Sequence, residues 1–442
     1  MISIIGVIVA LALLVLLAFK KWIMFLVSLI CAVLVGITSQ MNFWSIFNDC
    51  YMPGFVKFFS SWFLIFTIGA VYSEFMSQSG SVSAIAYKLI QLFGKNQLLL
   101  VMLVVSLLLN LGGVNVYVQI FIFWPMAVVL SRESGIHRGV WLSVFYLGFF
   151  SSLLFPGSPG MVNTVAAQLL NVSVTTAPVL CVIMFLCYLI PGYFIIAVTE
   201  KRWRKKGKVY AETNADRNIV EPDNSDLPGI FKALIPLALV ILLYTSLSSG
   251  WFSVFGLAPM PANSSILTAM GLATLVCYLL NFKKLHGKTK SMVFKSVMGG
   301  ITPTFSAAVI AGFLGVVSAS QGYFLFAEAV QAGSLSPYLQ CCLVGNVLGF
   351  LTGGGAVTAQ AMLGTFGKSW LANPAVDVGI MREMVVANAS GGITLSPHSG
   401  GLHGVMGYAG TDLKESYPLC VISVLIPSVV INIVFSIIVT FL

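Results

Sequence analysis

Apolar residues occur in long runs along this chain, and polar residues are confined to the shorter stretches between them. Many runs approach the roughly 20 residues that a helix needs to cross a bilayer. The runs form two sets, which lie at 2–18, 22–38, 59–78, 97–111, 118–130, 139–155 and 177–199, and then at 231–247, 264–281, 301–319, 338–351, 357–372, 381–396 and 418–442. This pattern predicts an all-α polytopic membrane protein.

The composition excludes the soluble classes of protein. Of the 442 residues, 58% are hydrophobic and only 8% are charged, and the mean hydropathy is +0.98. A soluble domain carries about 25% charged residues, so this chain has too few charges to cover a soluble protein's surface. We therefore expect neither a soluble enzyme, nor a secreted disulfide scaffold, nor a disordered regulator.

The basic residues indicate an orientation in the membrane. The formal net charge is +9, but the basic residues lie in short stretches between apolar runs, which is typical of cytoplasmic loops rather than of nucleic-acid binding. Lys20 and Lys21 follow the run 2–18, and no small-residue cleavage site lies there. We expect a first transmembrane helix with its N-terminus outside, rather than a signal peptide.

A charged segment divides the chain into halves. Residues 200–228 begin with basic residues and continue with acidic ones, which predicts a solvated linker on the cytoplasmic side. The first half is then 1–199 and the second half is 229–442.

The two halves share motifs at one spacing. Gly353 follows Gly112 by 241 positions, and Pro397 follows Pro156 by the same 241 positions. Several motifs and helices at a common spacing indicate an internal repeat. The basic loops place matching helices in opposite directions across the membrane, which predicts two inverted repeats.

An inverted repeat requires an odd number of full crossings in each half. We therefore interpret the short runs 97–111 and 118–130 as a re-entrant hairpin with its tip at Gly112–Gly113. The matching hairpin in the second half is 338–372, with its tip at Thr352–Gly355.

One crossing in each half is predicted to be broken by proline and glycine. The breaks lie at Pro156–Gly160 and at Pro397–Gly401. Each half then has about five transmembrane helices and one re-entrant hairpin, with a broken helix at the membrane midplane.

The hairpin tips and helix breaks are the predicted substrate site. Irregular backbone at membrane depth occurs only inside protein or beside a water-filled cavity, and helix N-termini there suit an anion. These segments are rich in glycine, hydroxyl and amide groups, which suit a hydroxy-acid ligand; the alternative is that they permit close helix packing. The predicted substrate-binding residues are Gly112, Gly113, Asn115, Tyr117, Gln119, Ser158, Asn163, Thr164, Thr352, Gly353, Gly354, Gly355, Thr358, Gln360 and Ser399.

Ionisable residues inside a membrane are functional candidates. His398 and His403 both lie in the second break, and histidine titrates near neutral pH. We predict that one of them carries a coupled proton, with Glu74 at the end of the run 59–78 as a further candidate. The other charged residues near the second hairpin are expected in outer loops, exposed to solvent, and they are Glu328, Asp377, Arg382 and Glu383.

No catalytic or metal-binding motif occurs in the sequence. The eight cysteines form no CxxC pair and lie mostly in apolar runs, so we expect buried free thiols and neither a metal nor a cofactor. There is no HExxH, GxSxG or Walker motif, and we therefore expect no enzyme activity and transport driven by an ion gradient.

Several short motifs follow one another in a recognisable order. They are the two opening helices parted by Lys20-Lys21, the pair Ser79-Gly80 followed by 92–95, Pro125, the Pro156–Gly160 break, and Ala389-Ser390-Gly391-Gly392 leading into Pro397–Gly400. In this arrangement nearly the whole chain resembles the gluconate permease (GntP) family of the ion-transporter superfamily.

The resemblance implies proton-coupled symport of gluconate or a related small hydroxy or sugar acid. It also implies a multi-pass protein of the cytoplasmic membrane, forming a homodimer in which a transport domain moves against a scaffold, as in an elevator. Tyr117 stands where an acidic residue is expected, and Gly157 where a histidine is expected. The alternatives are a sodium-coupled carboxylate carrier or an ion exchanger of the same superfamily, and more distantly a membrane-embedded enzyme.

Overall fold

A computed structural model describes residues 2–20, 22–111, 116–158, 160–213, 216, 227–248, 260–390, 396–397 and 399–441. All regular secondary structure within these residues is helical, as the apolar runs predict. The helices of the first half are α1 (Ile2–Phe19), α2 (Met24–Thr38), α3 (Phe43–Gln78), α4 (Ser81–Phe93), α5 (Leu98–Leu111), α6 (Val116–Ser134), α7 (Arg138–Leu153), α8 (Met161–Leu170) and α9 (Pro178–Lys205).

The second half has the same order of helices. They are α10 (Ile230–Ser248), α11 (Ala262–Leu280), α12 (Thr289–Ser318), α13 (Gln321–Gln331), α14 (Pro337–Thr352), α15 (Gly355–Leu371), α16 (Val378–Ala389), α17 (Gly400–Tyr408) and α18 (Leu413–Thr440). Helices α13 to α17 begin 239 or 240 residues after α4 to α8, which is close to the spacing of the glycine and proline motifs. Two short helical segments, Phe282–Leu285 and His286–Lys288, precede α12.

Helices α3 and α12 pack against each other in antiparallel directions. A Cβ added at Gly54 would lie 2.6 Å from the carbonyl oxygen of Ala311, and one at Gly300 would lie 2.8 Å from the Cα of Thr67. Residue numbers rise along one helix as they fall along the other. Small residues let helix backbones approach in a membrane, where apolar burial between helices contributes little.

The other helices of this region surround the α3–α12 pair. Helix α11 packs against α3 and α2 packs against α12, while α1 pairs with α2 and α10 pairs with α11. Helices α4 and α13 complete it, since α4 contacts α10 and α13 contacts α1. We call α1 to α4 together with α10 to α13 the frame.

Each half contains a hairpin of short helices. Helix α5 packs against α6, and α14 packs against α15. The first arms have 14 and 16 residues, which at 1.5 Å per residue is about 21–24 Å and less than the roughly 30 Å hydrocarbon core. Such arms are too short to cross the bilayer unaided, as expected for hairpins.

Both broken helices are interrupted near the predicted positions. Helix α7 ends at Leu153 and α8 begins at Met161, while α16 ends at Ala389, before the predicted end of the run at 396, and α17 already includes Gly400 and Gly401. We call α5 to α9 together with α14 to α18 the hairpin body.

Three described helices are long and apolar enough to cross a membrane, or five spans if two bent pairs each count as one. They are α3, α9 and α18, and α18 begins at Leu413 rather than at residue 418. The last predicted run, 418–442, therefore begins too late, because Gly410 takes a positive φ of 59° and Asp412 begins a new helix by accepting a hydrogen bond from the Glu415 N–H. Helices α4 and α13 lie in segments where the apolar runs predicted no helix.

Candidate functional site

The tip of the second hairpin lies against both sides of the second helix break. Gly353 ends α14 with a positive φ of 60°, and its carbonyl oxygen accepts a hydrogen bond from the Ser399 hydroxyl at 3.1 Å. A Cβ added at Gly355 would lie 3.0 Å from the Cβ of Ser390, which precedes the break. Both serines are buried, so the tip is held between the two halves of the broken helix.

Two helix N-termini meet at this contact. Gly354 is the N-cap of α15, and its carbonyl accepts a hydrogen bond at 2.9 Å from the hydroxyl of Thr358. Ser399 is the N-cap of α17. The positive dipole ends of two helices therefore lie beside Gly353, which is chemistry that suits a carboxylate.

The first helix break brings together two of the predicted residues. Asn163 on α8 reaches back across the break and donates from Nδ2 to the Leu153 carbonyl at 2.7 Å. The Ser158 hydroxyl is buried and has no hydrogen-bond partner among the described residues. A Cβ at Gly160 would lie 3.7 Å from the Ser158 oxygen and 3.8 Å from Asn163 Nδ2, so both polar groups face the same glycine.

The two breaks are connected through Arg382 and Glu383, which the sequence placed wrongly. We expected both residues in a solvated outer loop, but their side chains are only 1% and 0% exposed. They belong to α16, which packs against α8, α9, α14, α15 and α18. Arg382 donates from Nη1 to Asn163 Oδ1 at 2.9 Å and to Glu383 Oε2 at 2.9 Å. The other two residues of that prediction, Glu328 and Asp377, are exposed as expected.

The remaining polar predictions do not join this contact. Gln119 is buried on α6 and donates to the Ser106 hydroxyl at 3.1 Å. Thr164 bonds within its own helix, donating to the Gly160 carbonyl at 3.0 Å, and Gln360 is exposed on α15.

Two predicted proton carriers lie in different parts of the fold. His403 on α17 has its Nε2 2.7 Å from the Pro397 carbonyl, within the second break. Glu74 lies on α3 in the frame, where Gln78 donates to it at 3.1 Å and the Lys295 amine lies 3.8 Å away. Only His403 is therefore part of the hairpin body.

Several predicted residues cannot be placed. Gly112, Gly113, Asn115 and His398 lie outside the described residues. Tyr117 and Thr352 have helical backbone in α6 and α14, and their side chains are outside the description.

Comparison with known proteins assigns the chain to a family. The model of the GntP family permeases matches residues 2–442. The chain belongs to the GntP permease family. It is 21% identical over 441 residues to an uncharacterised transporter, YxjC, of Bacillus subtilis (strain 168), with 93% of each chain covered. It is 23% identical over 423 residues to a gluconate permease of Pseudomonas aeruginosa strain PAO1, covering 89% of this chain and 87% of that protein.

Membership of the GntP permease family, together with the apolar helices, makes this chain a multi-pass membrane transporter and not an enzyme. A permease acts on a small-molecule substrate. Among the described residues there is no group of three or more His, Cys, Asp or Glu side chains that could hold a metal ion.

Sequence reasoning missed the polar contacts inside the permease hairpins. Asn110 on α5 donates from Nδ2 to the Phe149 carbonyl of α7 at 3.1 Å. In the second half, Asn346 on α14 donates to Asn388 Oδ1 of α16 at 3.2 Å. Each hairpin is thus fixed to the first part of its own broken helix. An Asn within an otherwise apolar run was the available signal.

A second buried arginine joins the charged linker to the hairpin body. Arg138 begins α7 and donates to the carbonyls of Ala409 and Gly410, which follow α17, at 3.0 and 3.1 Å. It also donates to the linker, to the Ala211 carbonyl at 2.6 Å and to Asp216 Oδ2 at 2.7 Å. The linker, which we expected to be solvated, therefore contains a buried carboxylate.

The Asp216 carboxylate is held by several donors. Burial raises its pKa, but hydrogen bonds from the Thr213 N–H, Arg138 and the Tyr210 hydroxyl outweigh burial and leave the pKa below its ordinary value. The Thr213 N–H lies 2.9 Å and the Tyr210 hydroxyl 3.0 Å from Oδ2. This carboxylate stays ionised at neutral pH and fixes residues 210–216 to α7.

Proposed function

We propose that this permease is a secondary active transporter that carries gluconate or a related small hydroxy or sugar acid together with a proton across the cytoplasmic membrane. Its relative in Pseudomonas aeruginosa is named a gluconate permease. The observation that supports the substrate class is the contact of Gly353 with Ser399, where helix N-termini and hydroxyl groups meet inside a buried, apolar region.

The residues proposed to bind substrate are those of the two breaks and two tips. This proposal is supported by the contact between the halves, since α8 of the first break packs against α15 and α16, and Asn163 on α8 accepts a hydrogen bond from Arg382 on α16. Hydroxyl and amide groups bind a polyhydroxy ligand, and the helix N-termini bind its carboxylate.

We further propose inverted repeats that work as an elevator. The shared helix order and the antiparallel α3–α12 pair support the repeat, since matching helices related by an axis in the membrane plane meet in this way. Helix α12 packs against α17, whereas the described residues of the matching pair, α3 and α8, make no comparable contact. This asymmetry supports a one-sided state in which the hairpin body moves relative to the frame and exchanges these contacts. We also propose that the permease forms a homodimer, which the resemblance to the family supports.

The deciding experiment is uptake by proteoliposomes of labelled gluconate, glycerate and lactate. Vesicles are given a proton gradient, a sodium gradient, or neither. We expect gluconate to accumulate with the proton gradient alone and to exchange in counterflow without any gradient. If accumulation requires the sodium gradient, the coupled ion is sodium and not the proton. The absence of counterflow for all three acids would reject the substrate class.

Orientation is tested separately on a variant without native cysteines. A cysteine at Ser134, after α6, should react with a membrane-impermeant thiol reagent only from the cytoplasmic side, and one at Ala375, after α15, only from outside. Labelling of both positions from one side would reject the inverted repeat.

A further inference from the structure

The carboxylate of Glu383 is buried with half of its hydrogen-bonding capacity unused. Its Oε2 accepts from Arg382 Nη1 at 2.9 Å, and Oε1 has no hydrogen-bond partner among the described residues. An ionised carboxylate has about four acceptor sites, and leaving one oxygen unpaired in a buried site costs about 1–3 kcal/mol or more for a charged group. A proton on Oε1 would remove that charge.

Glu383 alone balances the charge of Arg382 within the described residues. The other partners of the guanidinium are neutral: Asn163 Oδ1, the Thr176 carbonyl at 2.6 Å and hydroxyl at 3.2 Å, and the Cys181 sulfur at 3.4 Å. Gain of a proton by Glu383 therefore changes the net charge of the pair from zero to +1.

Few titratable groups surround this pair. Of the helices that pack against α16, α8 has no titratable side chain. The titratable residues of α18 lie in its first turns and contact α7 or the residues before it: Glu415 lies beside His137 and Arg138, and Cys420 beside Ser143. Lys414 and Tyr417 lie in the same turns. Helix α15 has Lys368, which is exposed, and α14 has Tyr338, Cys341 and Cys342. On α9 the Cys181 thiol lies beside both members of the pair, since Arg382 donates to its sulfur at 3.4 Å and the thiol interacts with the Glu383 carboxylate.

We propose that Glu383 takes up and releases the proton that is transported with the substrate. This inference rests on the proton coupling proposed above and assigns it to a residue. The proton binds Oε1 of the carboxylate, while Oε2 continues to accept from Arg382. The pair then carries one positive charge, which offsets the single negative charge of a bound hydroxy acid, so that the loaded hairpin body crosses the membrane without net charge. Unpaired ions meet a much larger barrier there.

The geometry connects the proton to the substrate site through two hydrogen bonds. Arg382 holds Asn163 Oδ1, and Asn163 Nδ2 holds the Leu153 carbonyl on the far side of the first break. A change in the charge of the Arg382–Glu383 pair thus acts directly on the residues that span this break. His403 instead bonds to the Pro397 carbonyl of its own break, and Glu74 belongs to the frame.

The test compares Glu383→Gln with Glu328→Gln. Glutamine keeps the size and one acceptor oxygen but cannot titrate, and Glu328 on α13 is an exposed matched control. Purified variants in lightly buffered proteoliposomes receive external gluconate, and the external pH and gluconate counterflow are both recorded. Monodisperse elution and a gluconate-induced rise in Tm verify that each variant is folded.

We expect wild type and Glu328→Gln to alkalinise the medium as gluconate enters. In Glu383→Gln this proton flux should fall at least tenfold, while gluconate counterflow should stay within about threefold of the wild-type rate. Proton flux equal to wild type in Glu383→Gln rejects the assignment and leaves the proposed symport intact. Loss of counterflow in folded Glu383→Gln also rejects it, because the carboxylate is then required for structure or binding. Gluconate counterflow without proton flux in the wild type rejects the proposed proton symport itself.

Discussion

The two broken helices are held by similar arginines whose carboxylate partners differ. Arg138 begins α7 and binds carbonyls that follow α17, and Arg382 in the first turns of α16 binds the Thr176 carbonyl, which follows α8. Each arginine thus joins the first part of one broken helix to the segment that follows the other half's short helix. Arg138 lies beside the C-terminus of α17, where the helix dipole favours a cation, whereas Thr176 directly precedes the N-cap of α9.

The carboxylates beside these arginines have different surroundings. Each carboxylate has one buried oxygen without a hydrogen-bond partner among the described residues, Oδ1 of Asp216 and Oε1 of Glu383. The difference lies in the other oxygen: Oδ2 of Asp216 accepts from Arg138, Thr213 and Tyr210, whereas Oε2 of Glu383 accepts from Arg382 alone. A carboxylate with many donors is fixed in its ionised form, whereas one with few donors can change its charge at smaller cost. The comparison therefore separates a structural clasp at the linker from a site suited to proton exchange.

Removal of each arginine should have the largest effect on stability. Arg382→Met leaves Glu383 buried without its cation, and breaking a buried pair costs about 3–5 kcal/mol. Arg138→Met should cost less, since Asp216 retains the Thr213 and Tyr210 donors. Thermal unfolding of the purified proteins in detergent measures both losses. In the double variant Arg382→Met/Glu383→Gln most of the lost stability should be restored. If Arg382→Met and Arg138→Met lost the same stability, the two sites would not differ as described.

Neutralising Asp216 should have the next largest effect, and this effect should depend on pH. Asp216→Asn loses charged hydrogen bonds that contribute about 1.5–3 kcal/mol. Because the folded-state pKa of Asp216 is lowered, its contribution to stability is complete above the unfolded-state pKa of about 3.9 and is lost as the pH falls through the lower folded-state pKa. The Tm difference between wild type and Asp216→Asn should thus be constant from pH 8 to about pH 5 and shrink below pH 4.

If the Tm difference between wild type and Asp216→Asn grew as the pH fell from 8 to 4, it would contradict a lowered folded-state pKa of Asp216. Glu200→Gln is the control, because Glu200 pairs with Arg204 one turn along α9, and the Arg204 side chain is 48% exposed. Such pairs contribute about 0–1 kcal/mol, so this variant should show little change at any pH.

Substitution at the second hairpin tip should have an intermediate effect. Gly353 has a positive φ of 60°, and a Cβ there would lie 2.9 Å from the Cβ of Ser399. Gly353→Ala should lose about 1–2 kcal/mol from the left-handed backbone alone and should slow gluconate uptake, because the tip moves away from the break. Gly364→Ala on the same hairpin is the control, since no atom lies within 4 Å of its added Cβ. Equal uptake by the two variants would show that the tip contact is not needed for transport.

Much of the fold could be predicted from the apolar runs and the proline and glycine motifs. The breaks at Pro156–Gly160 and Pro397–Gly401 were identified because proline interrupts a helix and glycine weakens it. Helices α4 and α13 were missed because they are short and mix polar with apolar residues, so no uninterrupted apolar run marks them.

The candidate substrate site stays a prediction. Gly353 and Ser399 were selected because they lie at a hairpin tip and a helix break, and Asn163 because it closely follows the first break. Arg382 and Glu383 were assigned to a loop because charged residues usually mark the end of a run. Their burial depends on Asn163 and Thr176, which precede them by more than 200 residues, and pairing over that distance leaves no signal in a local pattern.

The smallest effects are expected for two serines, Ser158 in the first break and Ser399 in the second break. The two substitutions should differ in their effect. The Ser399 hydroxyl donates to the Gly353 carbonyl, so Ser399→Ala should lose about 0.5–1.5 kcal/mol. The Ser158 hydroxyl is buried without a partner among the described residues, and removing an unpaired buried hydroxyl should leave the Tm unchanged or slightly raised. If that hydroxyl binds substrate, Ser158→Ala should nevertheless raise the KM for gluconate about three- to tenfold, because a bound hydroxyl or carboxylate loses its partner. An unchanged KM together with an unchanged Tm would remove Ser158 from the substrate site and leave the second break as its main part.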